Sequence, residues 1–108
     1  MDFDTYQTAA RSTAIYDKKH SITYPALGLA GETGEVMEHV KKMLRDGNGV
    51  MDNDRREKIM KEIGDVLWYV ANLSADLGFS LNDIAEANIA KLKSRQERGV
   101  LHGAGSDR

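Results

Sequence analysis

Ile59, Ile63, Val66, Leu67, Val70, Leu73 and Leu77 follow one another at intervals of three and four residues. That is the period of a helix with one buried face, whereas a strand facing a core alternates every second residue. Asp52 or Asp54 offers the N-cap of this helix and Gly78 its stop. The same period governs the rest of the chain. Ala26, Leu29, Thr33, Val36, Val40, Met43 and Leu44 form a stripe that opens at Pro25, the single proline, in a first turn where its missing N–H costs nothing. It runs to about Arg45 and ends in the turn Asp46-Gly47-Asn48-Gly49. Before it, Tyr6, Ala9, Ala10, Thr13 and Ile15 or Tyr16 give a shorter amphipathic helix from about Asp4 to Asp17. After it, Ser80-Leu81-Asn82-Asp83 is a capping-box sequence opening a fourth helix, with Leu81, Ile84, Ala85 and Leu92 inward, to about Arg98. No run alternates long enough to make a strand. The sequence therefore predicts an all-α fold of four helices over residues 1–99, followed by a tail, residues 100–108, without periodicity and expected to be flexible.

Composition narrows the functional classes. A chain of 108 residues makes one domain with a modest core, and 41% hydrophobic with 30% charged residues is a globular balance. The net charge of −2 gives no general attraction to nucleic-acid polymers or anionic membranes, so a polyanionic ligand has to be met locally. Absence of cysteine excludes a disulfide framework and thiolate chemistry and fits a cytoplasmic setting. Met1-Asp2-Phe3-Asp4 lacks the apolar stretch of a signal peptide, and no apolar run is long enough to span a membrane.

Two acidic pairs stand out. Glu32 and Glu35 are three residues apart in the second helix, Glu62 and Asp65 in the third, so each pair shares a helix side. On a helical wheel Gly28, Glu32, Glu35 and His39 lie along one edge of the second stripe, and Glu62, Asp65, Tyr69, Asn72 and Asp76 along the same-handed edge of the third. Antiparallel packing through the stripes brings equal-handed edges to one groove. Counted from the intervening turn, Glu35 and Glu62 stand roughly 15 and 12 Å up their helices at about 1.5 Å per residue. Four carboxylates at nearly one level repel one another, and a divalent cation is the economical remedy, with all-oxygen ligands favouring Mg²⁺ first and Mn²⁺ second. Solvated acidic faces share this spacing, as Asp54/Glu57 and Asp83/Glu86 do. Glycines weigh towards a site: Gly28, Gly31, Gly34 and Gly64 lie inside helices, at about 0.5–1 kcal/mol each against alanine, which calls for close approach of a ligand or of another backbone.

At these residues the chain resembles the MazG-like all-α nucleoside triphosphate pyrophosphohydrolases. The signature E-x-x-E, spacer, E-x-x-D is met by Glu32, Glu35, Glu62 and Asp65 with 26 residues between the pairs. Gly31-Glu32-Thr33-Gly34-Glu35-Val36, Glu62-Ile63-Gly64-Asp65-Val66-Leu67 and Asn88-Ile89-Ala90-Lys91-Leu92-Lys93-Ser94-Arg95 carry the likeness from about Tyr24 to the tail. The resemblance implies cleavage of an NTP or dNTP between the α and β phosphates, giving the monophosphate and pyrophosphate, for control of the nucleotide pool. It implies Mg²⁺ held by the four acids, one glutamate being alternatively the group that orients or deprotonates water. It also implies polyphosphate contacts from Asn88, Lys91 and Arg95, and completion of the bundle by a homodimer or homotetramer. The rival reading for Asn88, Lys91 and Arg95 is a solvated basic face near a helix C-terminus.

Tyr69 and Asn72 continue the acid edge and are candidates for ribose or base contacts, or for ordinary bonding between helices. Trp68 falls outside the stripe and calls for a second surface, another subunit in preference to a nucleobase. Glu38 reads as a spectator or a partner of Lys42, and His39 as a solvated histidine or a support for the acids. The tail Arg98-Gly99-Val100-Leu101-His102-Gly103 resembles tails of small family members from bacteria and phages, a resemblance that suggests closure over a bound nucleotide. Two other classes compete. Asp46, Asn48, Asp52, Asp54 and Glu57 occupy calcium-loop positions, but Val50 and Met51 stand where such a loop needs an oxygen and a glycine. A non-catalytic helical module that binds nucleotide or protein is the stronger rival, opposed by the cost of keeping four acids together.

Overall fold

The structure is a computed structural model describing residues 1–106 and 108. Four helices account for it: α1 (Phe3–Ser12), α2 (Thr23–Asp46), α3 (Asn53–Asp76) and α4 (Leu81–Glu97), with a short 3₁₀ turn at Lys18–His20 between the first two. The all-α arrangement of four helices expected from the sequence is the one observed, with no strand among the described residues. No described helix is long and apolar enough to cross a membrane.

Capping explains most boundaries. Asp2 accepts from Thr5 N–H at 2.7 Å at the start of α1, Asp52 from Arg55 N–H at 2.8 Å at the start of α3, and Ser80 Oγ from Asp83 N–H at 3.3 Å at the start of α4. At the end of α3, Phe79 N–H reaches back to Ser74 O and Gly78 N–H to Ala75 O, both at 2.9 Å. That double closure needs a left-handed residue, supplied by Gly78 at φ 83°. The first helix stops about five residues earlier than the periodicity predicts. Thr13 leaves the helix so that its hydroxyl bonds Ala10 O and receives the indole N–H of Trp68, and the following residues turn into the link to α2.

Helices α2 and α3 pack along their lengths as an antiparallel pair, α1 lies across α3, and α4 packs on α1 and α3. The fully covered apolar core is small, Ala10, Ala71 and Leu81, with Tyr6, Trp68 and Val70 against it. Of the apolar positions placed inward on α4, only Leu81 is buried. Ile84 and Leu92 stay exposed, because one chain lays no further layer over that face. Leu44 and Ile89 are each 64% exposed. The accessible surface is 7751 Å², against roughly 6,000 Å² for a compact monomer of this mass. The radius of gyration, 16.8 Å, likewise exceeds the roughly 13 Å of a compact domain.

The described tail residues fold back on the end of α4. Arg95 donates to Ser106 O at 2.6 Å, and Arg108 donates to the carbonyls of Val100 and Leu101 at 2.9 and 2.8 Å.

Candidate metal centre

One oxygen each from Glu32, Glu62 and Asp65 lies within 4.8 Å of the other two, the one such acidic group among the described residues. Glu32 comes from α2, the others from α3, so the facing edges of the antiparallel pair build the group. Glu62 also lies 3.6 Å from His39 Nε2. Being flanked by Glu32 on one side and His39 on the other puts Glu62 level with Glu35 on α2. Glu35 itself is exposed and stands outside the group of three, although its charge is felt there.

Electrostatics show a cluster short of positive charge. Burial, a hydrogen bond with Glu62, and the charges of Asp65, Glu62 and Glu35 together push the Glu32 carboxyl above its ordinary range. A hard cation would outweigh the repulsion among these carboxylates, and three converging carboxylate oxygens suit one. The residues present fit a divalent ion.

His39 is half-buried rather than solvated. Its Nδ1 lies 3.2 Å from Arg55 Nη1, a permanent donor that leaves Nδ1 the accepting role, and its Nε2 faces Glu62 at a distance longer than a hydrogen bond. Arg55 was silent in the sequence. Only the α2–α3 crossing carries its guanidinium to a histidine sixteen positions earlier. Glu38 is bonded by Lys41 at 2.9 Å, a neighbour of the Lys42 named from the sequence.

Beside the acids, Glu32, Asp65, Trp68 and Tyr69 line a pocket of about 290 Å³. Tyr69 is half-buried, and its phenol is held above the usual range by burial, by the Tyr24 hydroxyl, and by the charges of Glu32 and Asp65. Trp68 does find a second surface, but within its own chain. Its indole N–H donates to Thr13 Oγ1 at 2.8 Å, and its ring meets Tyr16 and Tyr69 edge-on at 6.5 and 5.0 Å. The wheel could not show this, since it carries no information on where α1 lies.

Asn72 departs most from its expected place on the groove. It is 0% exposed, donates to Trp68 O at 3.1 Å and Ala10 O at 3.5 Å, and accepts from Arg11 at 3.2 Å. The upper part of the acid edge is roofed by α1, so within this chain the amide joins helices. Asn88 and Lys91 are exposed on α4, and Arg95, on the same helix, is 6% exposed beneath the tail. None of these three lines the pocket of Glu32 and Asp65 in the single chain. The calcium-loop reading fails on geometry too. Asp46 is taken by Arg45 at 2.8 Å, Asp52 caps α3, and Asp54 pairs with Lys58 at 3.0 Å.

The helix glycines divide into two kinds. A Cβ on Gly28 would collide with the Tyr69 ring, whereas Gly31, Gly34 and Gly64 face open space. Gly28→Ala is therefore expected to cost about 1–3 kcal/mol by overpacking. Gly34→Ala should gain about 0.5–1 kcal/mol through helix propensity in the unliganded chain. Thermal unfolding of the two variants measures the difference; a Gly34→Ala variant that loses stability would place an unseen surface against that residue.

A family model described as the MazG nucleotide pyrophosphohydrolase domain matches residues 20–100. Among curated proteins, the Gene 37 protein of Mycobacterium phage L5 is 43% identical over 114 residues, with 100% of each chain covered. No solved structure gives a significant match. Since the matched span takes in both acidic pairs and the three longest helices, the chain belongs to the MazG nucleotide pyrophosphohydrolase family.

Proposed function

We propose that the protein is a Mg²⁺-dependent pyrophosphohydrolase that cleaves a nucleoside triphosphate to the monophosphate and pyrophosphate. The observation that carries this reading is the group of three carboxylates from two helices, within 4.8 Å of one another, with the Glu32 carboxyl raised by its neighbours. Glu32, Glu62 and Asp65 would hold the ion, with Glu35 close enough in charge to join them. Mn²⁺ is an expected substitute. When bound, the cation neutralises phosphate charge and makes a coordinated water more acidic. The chain's own part is to fix the oxygens, to present a glutamate carboxylate that orients the attacking water and takes its proton, and to supply an aromatic wall for the nucleoside. Water adds across the α–β anhydride, hydroxyl to one phosphorus and hydrogen to the leaving oxygen, so no covalent enzyme intermediate is required.

The bundle is completed by a second copy, as a homodimer or homotetramer. Support comes from the excess surface and from uncovered apolar residues, among them Met51, Met60 and Ile63, which with half-buried Ile59 line one groove at the start of α3. The excess of roughly 1,700 Å² compares with about 800 Å² hidden per partner in a standard interface. Assembly would also be the route by which Asn88, Lys91 and Arg95 meet a polyphosphate, since the single chain leaves them outside the acidic pocket.

The test is pyrophosphate release from a panel of standard and modified ribo- and deoxyribonucleoside triphosphates, with Mg²⁺ and with chelator, alongside the molar mass in solution. Pyrophosphate is expected only with the metal, and the ranking of the panel names the substrate. A folded protein that yields none from any nucleotide is instead a binding module of the same fold.

A further inference from the structure

Asp76, at the end of α3, is the meeting point of three segments. Its carboxylate is 4% exposed and accepts from Arg11 Nη1 at 2.7 Å, from the Tyr16 hydroxyl at 2.7 Å and from Ile22 N–H at 2.9 Å. Burial opposes its ionisation, but these donors outweigh it and hold the carboxyl below its usual range. Ile22 is the unusual member. It has φ 68° and ψ −57°, and Thr23 N–H closes on Ser21 O at 2.7 Å, which is a γ-turn of the rare, positive-φ kind. A β-branched residue takes that conformation only under constraint. The constraint visible here is the bond from its N–H to Asp76.

What the turn delivers is Tyr24, two residues on. The Tyr24 ring stacks on Tyr16 at 4.8 Å and 20°, and lies 6.3 Å from Tyr69. Tyr16 and Tyr69 each meet Trp68 edge-on. Four rings thus form one connected set, and its inner pair, Trp68 and Tyr69, lines the pocket shared with Glu32 and Asp65. Asp76 grips this set twice, through the Tyr16 hydroxyl and through the backbone that aims Tyr24.

We propose that Asp76 is a positioning residue for the substrate's nucleoside: by pinning the strained Ile22 turn and Tyr16, it holds the aromatic wall beside the acids in register. The proposal rests on the pyrophosphohydrolase reading. A triphosphate anchored at the carboxylates extends its sugar and base into the adjoining pocket, where flat apolar rings are the surface a base stacks on. Asp76 acts through these contacts and not by its charge at the acids, since eleven residues of helix put it roughly 16 Å from Asp65 and Arg11 pairs with it at 2.7 Å.

The experiment compares wild type, Asp76→Ala, Asp76→Asn and Tyr16→Phe in two readouts. One is the emission of Trp68, the only tryptophan, in protein without nucleotide. The other is kcat and KM for the best triphosphate with Mg²⁺. Asp76→Ala, folded by circular dichroism, is expected to shift the emission and raise KM at least tenfold while kcat changes less than threefold. Asp76→Asn, which keeps one acceptor for Ile22 N–H, should recover part of both effects. Unchanged KM, or a loss confined to kcat, overturns the proposal. If Asp76→Ala does not fold, Tyr16→Phe decides: it keeps the ring and loses one bond to Asp76, and an unchanged KM rejects the idea. Should the wild type hydrolyse nothing, the functional reading fails separately. The emission then still tests whether Asp76 sets the wall, and an unshifted spectrum in the Asp76 variants refutes that.

Discussion

Asp65→Asn and Glu62→Gln are each expected to lower Mg²⁺-dependent pyrophosphate release by about 10²–10³-fold, the several kcal/mol that a ligated cation supplies to the transition state at about 1.4 kcal/mol per decade. The same substitutions should make the metal-free protein more stable. Each removes a like charge from beside Glu32, whose carboxyl is raised by burial and by those neighbours. After discounting for solvent screening, a gain of about 0.5 kcal/mol corresponds to roughly 2–4 °C in melting temperature. Loss of activity with gain of stability separates a metal-ligand role from a structural one, which would lose both. The pH dependence has a definite sign. Folded Glu32 keeps its proton at higher pH than the unfolded chain, so metal-free protein loses stability as pH rises from the ordinary value of 4.5 through the raised one. Asp76 works oppositely. Its contribution is present above the ordinary 3.8 and is lost as pH falls through the depressed folded value. Thermal melts across this range, with and without Mg²⁺, should show the Glu32 slope change sign when metal is added, because a bound cation favours the ionised carboxylate.

Asn72→Ala carries the largest expected loss of stability. The amide is fully buried and joins α1 to α3 through Ala10 O and Arg11 while bonding Trp68 O within its own helix. Truncation removes three hydrogen bonds and leaves a cavity in a core that has few other buried side chains. About 2–3 kcal/mol follows, or roughly 10–20 °C for a domain of this size. Calorimetry on Asn72→Ala beside Asn88→Ala, which alters an exposed position on α4, checks the contrast. Near-equal melting temperatures would contradict the joint described here. The result also bears on function, since a stable Asn72→Ala variant with raised KM would return the amide to the substrate.

The sequence by itself determined the four helices, apart from the early end of α1, and the meeting of Glu32 with Glu62 and Asp65, but not that Glu35 stands outside the group. Stripe period, caps and stop glycines are local properties, and the level of Glu62 beside α2 follows from rise per residue once two helices are antiparallel. Tertiary structure alone decided what covers each edge. The wheel placed Glu62, Asp65, Tyr69, Asn72 and Asp76 on one continuous edge, and α1 cuts that edge in two. Its lower part stays open as the acidic pocket, and its upper part becomes a joint in which Asn72 and Asp76 bond Arg11. Trp68 was recognisable as wanting a neighbour, but Thr13 and Tyr16 became that neighbour only through a helix that ends early. The Ile22 turn and the Arg55–His39 contact leave no local trace, because both depend on groups brought together from distant positions in the chain. Periodicity reports which face of a helix is apolar; which neighbour meets that face is fixed by the packing of the whole chain.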